Sequence, residues 1–211
     1  RRAFAVRAHC LGDPDFNPDM PLSRLLSKSY AESLQKTIDP ARATPSATNV
    51  FDWPYESAET THLSVVDAER NAVALTYTLE ESYGSGIIAP GTGFLLNNEM
   101  GDFNPGPGLT TTNGLIGTRP NLAGPHRRML SSMTPAILTR DGHLFLVLGS
   151  PGGRTIVNTV LQVILNTVDR QMSLSEAVAA PRFHHQWFPD ELVYERGALG
   201  LGAESLLRSY G

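Results

Sequence analysis

The sequence predicts a layered α+β fold, and three observations lead there. Two pairs of β-rich runs are each joined by a short polar turn, helical periodicity flanks them on both sides, and there is little βαβ alternation. A doubly wound parallel sheet would need that alternation, so antiparallel pairs layered against helices are expected instead.

The first helical signal runs over Pro21–Ile38, where Leu22, Leu25, Leu26, Tyr30, Leu34 and Ile38 recur at helical spacing and Pro21 suits a first turn. It predicts one amphipathic helix. Residues 39–59, with Pro40, Pro45 and Pro54 among Ala, Ser, Thr and Asn, are too poor in apolar residues to pack well and read as an exposed, mobile linker. From Thr60 the pattern changes. Leu63–Val66 and Ala72–Leu79 are β-rich runs around the polar turn Ala68–Asn71, which predicts a hairpin beginning at Thr60. Ala136–Thr139 and Leu144–Val147 flank Asp141-Gly142, a pair suited to the positive φ angles of a tight turn, and predict a second hairpin. After the turn Gly149-Ser150-Pro151-Gly152-Gly153, the residues Ile156, Val157, Val160, Val163, Ile164 and Val168 return to helical spacing, predicting a long, largely buried helix over Thr155–Val168. Ser173 and Glu176 have capping-box spacing, so a shorter helix is expected over Ser175–Ala180 before Pro181 stops it.

At 211 residues the chain can bury one sizeable core. Its formal net charge of −4, with no run of five like charges, argues against a nucleic-acid partner. Cys10 is the one cysteine, which excludes an intrachain disulfide and a multi-thiolate zinc site. No apolar stretch approaches the roughly 20 residues that span a bilayer. The chain opens on Arg1-Arg2-Ala3-Phe4 rather than Met and reads as a piece of a longer precursor.

The segment Glu59-Thr60-Thr61-His62-Leu63-Ser64-Val65-Val66-Asp67 resembles the start of the small subunit of γ-glutamyltransferases. Further blocks resemble that family in the same order: Thr76–Leu79, Leu95–Phe103, Leu130–Met133, Gly149–Gly153 and Pro181–Gln186. Leu11–Phe16 resembles the end of its large subunit. The resemblance implies an αββα sandwich of the N-terminal-nucleophile type. It also implies a division at Thr60, with residues 1–59 the last part of a large subunit plus its pre-cleavage linker, and 60–211 a small catalytic subunit truncated at its C-terminus.

A threonine hydroxyl is a poor nucleophile until a base takes its proton, and a chain-terminal threonine carries that base as its own α-amine, with a pKa of about 7.7–8.0. Thr60 is internal, so the resemblance implies that the precursor first breaks its own Glu59–Thr60 bond. Thr78 matches the threonine that orients the nucleophile. Gly152 and Gly153 match the glycines whose N–H groups form an oxyanion hole, a role suited to rigid donors at close approach. Glu99 and Asp102 match positions engaging the α-ammonium of a glutamyl group, while Ser131 and Ser132 match those binding its α-carboxylate.

The expected reaction is cleavage of a γ-glutamyl amide such as glutathione, the acyl group passing to water or to an amino-acid or dipeptide acceptor. No metal or cofactor is implied. The remaining large-subunit portion is the implied protein partner, contributing an arginine to the carboxylate site, and the family implies a periplasmic or extracellular location. Glu80 and Gly101 depart from the pattern, since many relatives carry Asn at the former, in the α-carboxylate site, and Asp at the latter. A carboxylate at Glu80 would repel the substrate carboxylate unless protonated or turned aside. Residues 103–124 match a lid loop, with Asn113 where some relatives have an aromatic residue, which favours water as acceptor.

The same residues admit other readings. The glycine turn before a helix suits an anion, but no Gly-Lys-Ser/Thr follows it. His184 and His185 are adjacent, point to different faces and lack a third ligand at useful spacing, so they read as structural. His62 would share the face of Thr60 on a regular strand, but the amine makes a second base unnecessary. A glutaryl or cephalosporin acylase, or a non-catalytic domain of the same fold, are the alternative functions.

Overall fold

The computed structural model describes residues 1–46, 59–104, 106 and 118–211, which fall into two compact units. In chain order the helices are α1 (Arg2–Cys10), α2 (Leu22–Leu25), α3 (Lys28–Gln35), α4 (Thr155–Val168), α5 (Leu174–Ala179) and α6 (Ala203–Ser209). The strands are β1 (Thr61–Val66), β2 (Ala72–Tyr77), β3 (Ala136–Arg140), β4 (His143–Leu148), β5 (Phe183–His184) and β6 (Val193–Tyr194).

The unit formed within residues 54–102 and 131–184 contains both expected hairpins. β1 and β2 pair antiparallel from Thr61 opposite Tyr77 to Val66 opposite Ala72. Their turn is closed by Asp67, whose carboxylate accepts the Asn71 N–H at 2.8 Å and the Asn71 side-chain amide at 2.7 Å. β2 stops at Tyr77 rather than Leu79, leaving Thr78 just past the last paired residue. β3 and β4 join through Asp141 and Gly142 at φ 53° and 78°, the two positive values that a type I′ turn demands.

Helix α4 packs onto β4. Ile156, Val160 and Val163 recur on one face and bury against Leu146, Leu148 and Ala177 of α5. Ile156 is 1% exposed, and burying such a side chain stabilises the fold by roughly 1.5–3 kcal/mol. Leu161, Leu165 and Val168 are exposed, so α4 is buried on one face rather than largely buried. The reciprocal capping box of Ser173 and Glu176 starts α5 as expected, one residue earlier than predicted.

The other unit is formed within residues 1–53, 103–130 and 185–211. The single helix expected over Pro21–Ile38 is broken into α2 and α3. Ser27 causes the break: its hydroxyl donates to Arg24 O at 2.7 Å and accepts the Tyr30 N–H at 3.2 Å, so it ends one helix and caps the next. Periodicity alone does not reveal a cap placed inside the repeat. Of the expected linker, 47–58 lie outside the described residues, while Ser46 is buried, donating its N–H to Asp190 Oδ2 at 2.6 Å and its hydroxyl to Trp187 O at 2.6 Å. Asp13 is buried beneath Arg128, which grips it at 2.7 Å through both its N–H and its guanidinium and holds the carboxyl well below the usual range.

His185 is structural, in line with the reading of its sequence. Burial first, then the charge of Arg1, pushes its pKa down to about 4, although Asp190 lies 3.2 Å from Nε2. The partners resolve this conflict. Trp187 N–H donates to Nδ1 at 3.2 Å, so a neutral ring carries its proton on Nε2 and donates to Asp190 as a hydrogen bond rather than as an ion pair. The unfolded chain takes up a proton near pH 6.5 and the folded one near 4, so stability is full above about 6.5 and falls as pH drops toward 4. The urea midpoint is therefore expected to fall between pH 7.5 and 5, and to fall less in His185→Gln. An equal fall in both proteins would assign the effect elsewhere.

Candidate active site

The head of β1 opens onto a small pocket of about 30 Å³ lined by Thr60, Thr78, Glu80, Glu99, Asp102, Ser131, Ser132, Met133, Gly153 and Ile156. Eight of the nine residues singled out from sequence therefore line one pocket, and the ninth, Gly152, is the chain neighbour of the lining residue Gly153. All of them belong to the hairpin-containing unit. Met133 and Ile156, which form the apolar wall, received no site role from sequence. Met133 stood in a recognisable block, but nothing in a helical repeat marks Ile156 as anything except core.

Thr60 Oγ1 donates to the Glu59 carbonyl at 2.7 Å, and Thr78 Oγ1 donates to the same carbonyl at 3.0 Å. Thr78 also accepts the Glu80 N–H at 2.9 Å. The carbonyl preceding Thr60 is thus held by two hydroxyls, one from each strand end of the hairpin. A donor on a carbonyl oxygen draws electron density from its carbon, which is the atom a nucleophile would attack.

The glycine turn approaches from the α4 side. Gly152 at φ 125° and Gly153 at φ 53° adopt conformations that side chains rarely reach, and a Cβ on Gly152 would also lie 2.6 Å from Thr155 Oγ1. Gly149 is required for another reason. The His62 ring lies directly over it, with Nε2 2.7 Å from where a Cβ would stand. His62 faces Thr76 and Ser64, 2.8 Å from the former through Nδ1 and 2.9 Å from the latter through Nε2. Both ring nitrogens are engaged, so His62 ties β1, β2 and the glycine turn together rather than standing as a second base.

Glu99 and Asp102 occupy a 3₁₀ turn, Glu99–Asp102, where positions three apart eclipse and the two carboxylates emerge on one side. Asn97 and Asn98 hold this turn in place. Asn97 Oδ1 accepts the Glu99 N–H at 3.2 Å, Asn98 N–H donates to Leu79 O at 3.0 Å, and Asn98 Oδ1 accepts the Glu81 N–H at 3.2 Å. Burial pushes the Glu99 carboxyl up, opposed by hydrogen bonds from Asp102 and from the Glu80 backbone. Glu80 sits at φ 73°, a left-handed conformation that costs a glutamate of order 1 kcal/mol. Ser131 Oγ accepts the Met133 N–H at 3.0 Å, and Ser132 lines the same pocket. Asn113 of the expected lid lies outside the described residues.

A threonine hydroxyl heading a hairpin, beside a turn that ends on two positive-φ glycines in an α+β core, is the layout of an N-terminal-nucleophile hydrolase. The chain belongs to the gamma-glutamyltranspeptidase family, whose sequence model matches residues 1–211. It is 50% identical over 197 residues to the glutathione hydrolase proenzyme of Escherichia coli, covering 92% of this chain and 34% of that one. It is 37% identical over 180 residues to the acylase ACY 1 proenzyme of Pseudomonas sp. (strain SE83), covering 85% and 30%. Among solved structures, a gamma-glutamyltranspeptidase of Helicobacter pylori superposes with a TM-score of 0.67 at 50% identity, covering 72% of this chain and 81% of that chain. The α+β class and N-terminal-nucleophile fold expected from sequence are thereby borne out. The chain spans about a third of the length of the curated relatives it matches.

Proposed function

We propose that this chain carries the catalytic centre of a self-cleaving γ-glutamyltransferase or glutathione hydrolase, with Thr60 as nucleophile. The observation that carries this reading is the Glu59 carbonyl held by the Thr60 and Thr78 hydroxyls at 2.7 and 3.0 Å, in a pocket that also holds carboxylates and serines. Attack of Thr60 Oγ on the Glu59 carbonyl carbon breaks the Glu59–Thr60 C–N bond, and the nitrogen takes the hydroxyl proton. Water then hydrolyses the resulting ester, freeing a Glu59 carboxylate and a Thr60 α-amine.

In the cleaved enzyme that amine takes the Oγ proton as Oγ attacks the γ-carbonyl of the substrate. The N–H groups of Gly152 and Gly153 receive the oxyanion, and the proton passes to the leaving amine. Water, or the amine of an amino acid or dipeptide, then resolves the γ-glutamyl-Thr60 ester. Asp102 and Glu99 take the substrate ammonium, and Ser131 and Ser132 its α-carboxylate. In this reading residues 60–211 form the catalytic subunit, the rest of the large subunit is its partner, and the enzyme works in the periplasm or outside the cell.

The acylase relative keeps a second substrate class open, because a glutaryl group has the same length and no ammonium. Rates on γ-glutamyl and glutaryl anilides, measured with the full-length self-cleaved protein, separate the two. The γ-glutamyl compound is expected to be preferred by at least about tenfold, the scale of one charged contact. Preference for glutaryl would transfer the protein to the acylases. Inertness on both, with Thr60 failing to react with a glutamine-analogue inactivator, would favour a non-catalytic domain.

A further inference from the structure

The substrate proposed above carries its ammonium and its α-carboxylate on one carbon, so the groups that receive them must stand at one fixed spacing. Asp102 and Ser131 belong to those two sets, and both lie where the chain passes from one compact unit to the other. Asp102 is the last residue before the chain enters the segment 103–130, and Ser131 is the first after it leaves.

Asn121 ties the entry of that segment to its exit. Its carbonyl accepts the Asn104 N–H at 2.9 Å, its Nδ2 donates to Asn104 Oδ1 at 3.4 Å, and its Oδ1 accepts the Leu130 N–H at 3.0 Å. One buried asparagine thus grips the chain two residues after Asp102 and one residue before Ser131. The side chain must donate and accept at once, which an amide does and a carboxylate or an aliphatic group does not. The grip is itself anchored. Asn121 ends a 3₁₀ turn over Arg119–Asn121 that rests on the chain at Gly12 and Asn17. Pro120 O accepts from Asn17 Nδ2 at 3.0 Å, and a Cβ on Gly12 would overlap the Pro120 carbonyl, so no side chain fits between the two backbones. The exit is tied to the same place, because Arg128 N–H donates to Asp13 Oδ2 at 2.7 Å. A buried polar network fastened to backbone in this way holds a distance.

We infer that Asn121 is a positioning residue for the substrate site: by holding residues 104 and 130 together it sets the spacing between Asp102 and Ser131, and so the match to a carbon bearing both an ammonium and a carboxylate. Asn121 is not among the residues that line the pocket, so it acts through the chain on either side of it. This rests on the γ-glutamyl reading above and adds to it the device that matches the site to a substrate with two charged ends.

Three anilides test this on the full-length, self-cleaved enzyme. The γ-glutamyl compound presents both groups, the glutaryl compound lacks the ammonium, and the 4-aminobutyryl compound lacks the α-carboxylate. Asn121→Ala is expected to raise KM for the γ-glutamyl anilide about tenfold with kcat within about twofold, because a lost spacing weakens binding at two ends together. For the two one-ended anilides kcat/KM is expected to stay within about threefold, since each can shift to suit the end it uses. An equal proportional loss on all three would make Asn121 a support of the fold and overturn the positioning role. An unchanged KM for the γ-glutamyl anilide would overturn it too.

Asn104→Ala is the milder variant, since it removes the side-chain contact with Asn121 and leaves the Asn104 N–H on the Asn121 carbonyl. It is expected to show the same pattern at about threefold, and it decides by the same comparison if Asn121→Ala is not recovered folded. A parent inert on all three anilides defeats the functional reading and the positioning role together. A working parent with equal losses in the variants defeats the positioning role alone.

Discussion

Thr60→Ala in the full-length protein is expected to leave one unbroken chain after incubation at neutral pH, where the parent separates between Glu59 and Thr60. Intact mass reads this directly. The expectation follows from the two hydroxyls on the Glu59 carbonyl: Thr78 can polarise it, but only Thr60 Oγ can form the ester that breaks the bond. Activity on γ-glutamyl anilide should fall by at least about 10⁴-fold, since both the nucleophile and the amine that activates it are lost. If the variant splits as the parent does, Thr60 is not the processing nucleophile. If the parent stays whole while folded, Thr60 has no free amine and the non-catalytic reading stands.

Asp102→Ala should raise KM for γ-glutamyl anilide by about 10²-fold or more, on the scale of 2–5 kcal/mol for a buried charged contact losing one partner. Asp102 lines the pocket three positions from Glu99 in the same 3₁₀ turn, so its removal also ends the hydrogen bond that opposes the burial of Glu99. The Glu99 carboxyl should then titrate higher still, and KM should climb further as pH is lowered. The glutaryl anilide has no ammonium and should be nearly indifferent. Parallel losses on the two substrates would place Asp102 in support of the fold instead of in contact with substrate.

The sequence by itself determined those features whose physics is local. Asp141-Gly142 dictates its turn because two consecutive positive φ angles favour those residues, and Ser173 with Glu176 dictates a helix start because the two groups satisfy each other's backbone donors. The hairpin beginning at Thr60 and the face of α4 carrying Ile156, Val160 and Val163 were equally legible from periods of two and of 3.6 residues. Recognisable blocks in order led to the family and to nine site residues.

Only the tertiary structure decided where those side chains converge. Glu80, Glu99, Ser131 and Gly153 come from four segments, and no periodicity relates them; they meet because the first hairpin lies against the second, whose β4 shares a core with α4. It also decided the direction of Glu80, which sequence comparison left as a threat to the substrate carboxylate. Its backbone is left-handed and its carboxylate lies over Gly101, a placement that depends on contacts between segments distant in the chain. Ser27 shows the same limit on a smaller scale. Its position inside a good helical repeat hides a cap, because a hydroxyl's choice between solvent, the preceding turn and the following one is settled by the conformation of the chain around it.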